Sequence, residues 1–203
     1  MKITLPEHIG EITLGQFQRY HELNKRTDLS ETAFNKRKIV IFTELKQKDI
    51  KYITQTDYEE IIEDIDQALE LTPKFEQRFK IKDIEFGMIP NFDKMTTGEF
   101  ADLDKYSGDV DKLHRLIAIL FRPVTEEDVF KNYKIKDYNG TEGMAELMKL
   151  TPMHAVNGAL DFFLNLSKEL QKHTQRYTNQ ERRRVKQLYH ILKSGDGTQV
   201  SLN

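Results

Sequence analysis

Apolar and charged residues alternate from Phe75 to Met88. Phe75, Phe79 and Ile81, with Gln77 among them, lie before Lys82-Asp83; Ile84, Phe86 and Met88 follow it. A period of two predicts two half-buried strands. A two-residue turn at Lys82-Asp83 sets Ile81 against Ile84, Phe79 against Phe86 and Gln77 against Met88, so the apolar residues share one face. Lys-Asp is not the Asn-Gly or Asp-Gly chemistry that such turns favour.

Elsewhere the period is helical. A helix is expected over about 16–24. A second starts from Ser30 as N-cap and runs through Leu45, with Phe34, Ile39, Ile41, Phe42 and Leu45 on a wide apolar face. Thr54 or Thr56 caps a third, to about Leu71, on a stripe of Tyr58, Ile61, Ile62, Ile65 and Leu69. Leu113 to Phe121 reads as an apolar helix that Arg122-Pro123 ends. Residues 124–140 are mixed and polar and read as loop or short strand, with a turn at Asn139-Gly140. Thr141 caps a short helix to Leu150. Thr151-Pro152, an N-cap residue followed by proline, opens a helix from Met153 to about His173. Its Val156, Ala159, Leu160, Phe162, Phe163, Leu164, Leu166 and Leu170 make it nearly apolar all round, so it is the expected central buried helix.

Two helix starts share one grammar. In Met95-Thr96-Thr97-Gly98-Glu99-Phe100, Thr96 and Glu99 form a capping box, and Met95 and Phe100 stand at the hydrophobic-staple positions. In Ile12-Thr13-Leu14-Gly15-Gln16-Phe17, Thr13 and Gln16 form the box and Ile12 and Phe17 the staple. In both, a polar helix, a break and an apolar helix follow. An internal duplication and a chance recurrence of a common cap both remain open.

Composition narrows the class. The chain has 203 residues, enough for one substantial core or two small ones in contact. It is 38% hydrophobic and 32% charged, with 10 Gly and 5 Pro, which favours helix over a turn-rich β fold. A formal charge of −2 gives no global drive toward nucleic acid or anionic membrane. The absence of cysteine excludes disulfides, thiolate zinc sites and cysteine nucleophiles and fits a reducing compartment. No run is apolar for long enough to span a membrane, and Met1-Lys2-Ile3-Thr4-Leu5-Pro6 has no signal-peptide character. A soluble protein made and used in a cytoplasm is the expectation.

Charge is unevenly placed. Asp57, Glu59, Glu60, Glu63, Asp64, Asp66 and Glu70 lie on the third helix with no basic residue among them. Such a face is either solvated or meets a basic partner. Arg176, Arg182, Arg183, Arg184, Lys186 and Lys193 surround a narrow stripe of Val185, Leu188, Tyr189 and Leu192, opposed by Glu181 alone. This basic amphipathic helix is expected to project from the body and to end in a flexible Ser194-Gly195-Asp196-Gly197 tail. A packed surface helix, a docking helix and a phosphate-backbone contact all fit it.

Candidate chemistry is sparse. His8, His21, His114, His154, His173 and His190 include no pair four residues apart and no HExxH, so a helical two-histidine metal site is excluded. His114, on an apolar helix, reads as a hydrogen-bonded core or boundary residue. There is no GxGxxG, no P-loop after Gly140-Thr141-Glu142-Gly143 and no GxSxG elbow. No carboxylate pair is marked for acid–base work, and the aromatic residues sit at core spacing rather than as a base-stacking platform.

The run FKIKDIEFGMIPNFDKMTTGEFADLDKY, then LHRLIAILFRPV, YKIKDYNGTEGMAELMKL and PMHAVNGALDFFLNLSKEL, resembles a family of small proteins of tailed bacteriophages, including crAss-like phages. ITLGQFQRYHEL fits the same pattern, and the likeness extends to about Tyr177. The resemblance implies a non-enzymatic protein from the portal, capsid and tail gene block. It would be a ring, tail-associated or packaged cargo component, or else a tail assembly chaperone; a nucleic-acid-binding accessory is a third reading. It supplies no catalytic residue and no cofactor. Its implied partners are other phage structural proteins and further copies of the chain, with no membrane. Its implied location is the virion, after synthesis in the host cytoplasm.

The expected fold is mainly α with some β (α+β): a helical bundle with a small antiparallel hairpin and a projecting C-terminal helix. Three parts are expected: 1–73, helical; 74–174, hairpin plus core helices, in one body with the first; and 175–203, basic helix and tail. The candidate partner-binding residues are Glu59, Glu63 and Asp66 on the acidic face and Arg182, Arg183, Arg184, Lys186, Leu188 and Tyr189 on the basic helix.

Overall fold

The structure is a computed structural model and describes residues 3–43, 45–70, 75–162 and 179–194. It is α+β. The described residues form eight α-helical segments and a four-stranded antiparallel sheet in the order β1-β2-β3-β4. The helices are α1 (Leu14–Asn24), α2 (Glu31–Phe42), α3 (Gln55–Glu70), α4 (Thr97–Tyr106), α5 (Leu113–Leu120), α6 (Ala145–Met148), α7 (153–162) and α8 (Asn179–Ser194). The strands are β1 (Arg78–Ile81), β2 (Ile84–Met88), β3 (Phe121–Glu127) and β4 (Tyr133–Ile135).

The hairpin pairs Ile81 with Ile84 and Phe79 with Phe86, and the Met88 amide donates to the Gln77 carbonyl at 2.9 Å. Lys82 takes the left-handed conformation (φ 54°) that this tight turn demands. Phe79, Ile81, Phe86 and Met88 are buried, and the Phe79 ring meets those of Phe86 and Phe121 at 5.7 and 4.9 Å. Ile84, at the turn, is 43% exposed.

The sheet is twice the expected ribbon. Helix α5 stops at Leu120, and the chain continues without a loop into β3 through Arg122-Pro123. Proline inside a sheet normally removes a ladder bond. Here the Pro123 carbonyl accepts from the Lys136 amide at 2.8 Å. A strand residue's N and C=O point the same way, so the missing N–H would face the end of β4, where pairing stops, and not β2. The segment read as loop or short strand therefore forms the second hairpin, β3–β4.

Both capping boxes close. Thr13 Oγ1 accepts from the Gln16 amide at 3.2 Å while Gln16 Oε1 accepts from the Thr13 amide at 2.9 Å, and Thr96 and Glu99 do the same for α4. The staples differ. Ile12 and Phe17 are buried, whereas Phe100 is 40% exposed. Every first-turn amide of α1 is satisfied: Leu14 donates to the Thr151 carbonyl (2.8 Å), Gly15 to Lys149 (2.7 Å), Gln16 to the Thr13 side chain and Phe17 to the Thr13 carbonyl (3.0 Å). The Met153 amide returns a bond to the Ile12 carbonyl at 2.9 Å. The starts of α1 and α7 are thus joined by backbone.

Boundaries elsewhere shift slightly. Ser30 caps α2, which ends at Phe42 rather than Leu45; Thr54 caps α3 through the Asp57 amide. Helix α6 is one turn long, and Thr141 serves it with its carbonyl, not its side chain. In α7, Met153, Ala155, Val156, Ala159 and Leu160 have no exposed surface, but Phe162 is 37% exposed. Phe163, Leu164, Leu166, Leu170 and His173 lie outside the described residues, as do Arg176 and the 195–203 tail. One hydrophobic cluster extends from Ile9 to Leu188 and draws residues from all three expected parts.

The C-terminal helix does not project. Val185 is 2% exposed and Leu188 0%, and the Arg184 stem lies over Gly108, where a Cβ would come within 3.0 Å of it. Gly108 has φ +92°, a conformation that glycine adopts at no steric cost. The stripe of α8 is too apolar to leave in water once a seat is available beside α4.

Candidate interaction surfaces

The polar face of the sheet is a closed network. Arg78 grips Glu127 with two bonds (3.0 and 2.8 Å), reaches Glu85 at 3.1 Å and lies 5.0 Å over the Tyr133 ring. The Arg78 guanidinium holds the Glu127 carboxyl down at about 2. Tyr133 lies across Gly87, where a Cβ would stand 2.4 Å from the ring, and its hydroxyl donates to the Met88 carbonyl at 2.8 Å. Further along, Arg122 pairs with Glu99 at 2.7 Å and lies 5.7 Å from the Tyr138 ring centre, and the Tyr138 hydroxyl donates to Asp102 at 2.6 Å. Burial and the adjacent Asp102 carboxylate push the Tyr138 hydroxyl well above the usual phenol range. Arg78 and Arg122 are answered by Glu85, Glu127 and Glu99, and Asp102 accepts from the Tyr138 hydroxyl, so the network holds elements together.

His114 is buried and hydrogen-bonded: its Nδ1 lies 3.1 Å from Gln18 Nε2, which also donates to the Val110 carbonyl at 2.6 Å. Burial lowers its pKa, as it does for His21. Among the described residues no group of three or more His, Asp or Glu is placed to hold a metal ion, and no helix is long and apolar enough to cross a membrane.

The acidic helix presents its carboxylates outward. Ile61, Ile65, Ala68 and Leu69 are buried, while Asp57, Glu59, Glu60, Glu63, Asp64 and Glu70 are exposed. Glu59 and Glu63 accept bonds from Gln55 and Gln67 of the same helix, at 2.6 and 3.2 Å. Asp66 has a different role. It pairs with the ammonium of Lys38 on α2, a lysine whose side chain is only 4% exposed. A buried ammonium needs a counter-charge, and Asp66, with its own side chain 51% exposed, supplies it while still facing outward.

The basic helix divides likewise. Arg183 and Lys186 are exposed. Arg184 is half-buried and lies 3.5 Å from Asp104. Leu188 is buried in the chain's own core and offers no surface to a partner. Tyr189 is half-buried, and the Arg182 side chain lies outside the described residues.

Two features escaped the sequence pattern. The first is the β3–β4 turn. Asp128 Oδ1 accepts from the amides of Phe130 (2.8 Å) and Asn132 (2.9 Å), Asp128 Oδ2 accepts from Asn132 Nδ2 (2.8 Å), and the Asp128 amide donates to the Asn132 carbonyl (2.9 Å). This frame holds out Val129 and Phe130, which are 89% and 82% exposed. Asp and Asn four apart between two alternating runs was the available signal. The second is a cleft of about 370 Å³ on α1 and α2, with Leu23, Val40 and Ile41 as its apolar floor and Arg19, Arg26, Arg37, Glu22 and Gln47 at its rim.

No protein-family model, curated protein or solved structure matches the chain.

Proposed function

We propose that this chain is a non-enzymatic structural component of a tailed-phage particle, a ring, tail-associated or cargo protein at the portal–tail vertex, working through protein–protein contacts. The resemblance of residues 75–170 to small proteins of the phage structural block motivates the reading. The observation that carries it is the exposed, one-signed face of α3, where Glu59 and Glu63 have no basic neighbour on their helix. An acidic face of this kind meets a basic surface on a neighbouring subunit and sets orientation and association rate more than raw affinity. Arg183 and Lys186 of α8 offer such a surface.

Mass spectrometry of purified particles tests this. Recovery in fixed stoichiometry with the portal and tail proteins is the expected result. Expression in infected cells with absence from finished particles would replace it with the assembly-chaperone reading.

A further inference from the structure

We propose that Asn139 is a site of self-catalysed deamidation, in which the Gly140 amide converts the Asn139 carboxamide into a carboxylate, and that the fold protects the chain's other Asn-Gly pair, Asn157-Gly158. In local chemistry the two pairs are alike. The amide nitrogen after the asparagine must reach the side-chain carbon Cγ, and a glycine in second place leaves that nitrogen unhindered because it has no Cβ. The surroundings of each pair therefore determine which one reacts.

Asn139 and Gly140 lie in the link between β4 and α6, outside regular structure, and both are exposed. Gly140 has φ +77°, and a Cβ built on it would meet nothing within 4 Å. Among the described residues neither the Asn139 carboxamide nor the Gly140 amide has a hydrogen-bond partner. The flanks are held: the Tyr138 hydroxyl donates to Asp102 at 2.6 Å, and the buried Thr141 accepts from the Ala145 amide at 2.8 Å. Turning the Asn139 side chain and the Gly140 amide toward each other breaks no hydrogen bond. Asn157-Gly158 is placed otherwise. It lies inside α7, with Asn157 Oδ1 and Gly158 buried and the Phe75 ring 1.8 Å from where a Gly158 Cβ would stand. The Gly158 amide belongs to the helical ladder, and helical ψ holds it out of the plane that a five-membered ring requires. Attack there has to wait for α7 to open.

The reaction needs only water. The Gly140 nitrogen gives up its proton and bonds to Asn139 Cγ; the carboxamide C–N bond breaks, and ammonia leaves carrying a proton in its turn. The product is a cyclic imide. Water then adds to one of its two carbonyl carbons. Opening at Cγ leaves aspartate, and opening at the Asn139 main-chain carbonyl carbon leaves isoaspartate, whose backbone is longer by one methylene. Nothing is oxidised or reduced. Either product puts a new negative charge on the exposed link between Tyr138 and Thr141. No residue of α3 or α8 takes part, so recovery of the chain in particles tests the proposed function separately.

The test compares the intact chain in two states. Folded protein and protein unfolded in guanidinium chloride are incubated side by side at mildly alkaline pH, until most of Asn139 in the unfolded sample has converted. Tandem mass spectrometry of peptides cut at mildly acidic pH, where the imide forms slowly, reads residues 139 and 157 separately. Each folded-state rate is divided by the rate of the same site in guanidinium, which cancels intrinsic differences. On that scale Asn139 should convert about tenfold or more faster than Asn157, because only Asn157 depends on local unfolding. The product at residue 139 should be a mixture of aspartate and isoaspartate, the mark of the cyclic imide. Asn139→Gln, whose longer side chain would have to close a six-membered ring, should lose most of the signal. Conversion of Asn139 no faster than that of Asn157 in the folded chain overturns the proposal. So does aspartate alone at residue 139, which is direct hydrolysis, or equal conversion of the Asn139→Gln side chain.

Discussion

Arg122 of β3 and Glu99 of α4 form an ion pair of 2.7 Å with side chains only 12% and 4% exposed. Glu99 is also the third helical residue of α4, and its second carboxylate oxygen accepts from the Thr96 amide. One carboxylate thus caps a helix and ties it to the strand that follows α5.

Removing one member of that pair strands the other in the interior. Arg122→Met should destabilise by about 3–5 kcal/mol in urea denaturation. Glu99→Gln retains the cap acceptor, so the double variant should lose clearly less than the two single losses together. Single effects under about 1 kcal/mol that simply add would show the pair to be peripheral.

His21 and His114 are both held below their ordinary pKa of 6.5 chiefly by burial, and His21 Nδ1 is buried without a hydrogen-bond partner. The unfolded chain therefore binds protons more readily than the folded one once pH falls toward 6.5. The stability contributed by the neutral rings is complete above that pH. It declines as pH drops from there toward the lowered folded values. Urea midpoints between pH 8 and 5 should fall accordingly, and less steeply in His114→Gln. A flat profile over that range refutes the assignment.

The seating of α8 makes a prediction opposite to that for a free helix. Leu188→Ala should cost about 2–5 kcal/mol, because it opens a cavity in the core. Arg183→Glu and Lys186→Glu, on exposed positions, should stay within about 0.5 kcal/mol. Thermal melts of the three variants compare them directly; a harmless Leu188→Ala would mean that the helix is undocked in solution.

Phe75 lies against Gly158 of α7 so closely that a Cβ there would stand 1.8 Å from its ring. Gly158→Ala alone should destabilise by at least about 1–3 kcal/mol. With Phe75→Ala already present the same change should stabilise slightly, since alanine is the better helix former by about 0.5–1 kcal/mol. Failure of the sign to reverse would place the clash elsewhere.

Within α7 the load falls on Leu160, which is fully buried, and not on Phe162. Leu160→Ala should cost about 2–5 kcal/mol. Phe162→Ala should cost clearly less. Calorimetry that ranks them in reverse would show the core to be misplaced.

Where an interaction spans three or four residues, the chain announced it by itself. The Thr13–Gln16 and Thr96–Glu99 boxes, the Ser30 cap, the stripe of α3 and the Phe79–Phe86 register all close within a turn of helix or one hairpin, so composition and spacing carry them. The outward face of Glu59 and Glu63 was legible for the same reason. Tertiary structure decided whatever depends on a distant neighbour. Pro123 is a helix stop in any local reading and becomes a strand residue only because β2 lies on one side and β4 ends on the other. Asp66 looked like its acidic neighbours until Lys38, buried on another helix, claimed it. Leu188 looked like part of an unfilled stripe until the chain's own core closed over it. A side chain's free energy depends on what excludes water from it, and sequence spacing shows only those neighbours that the chain reaches without turning back.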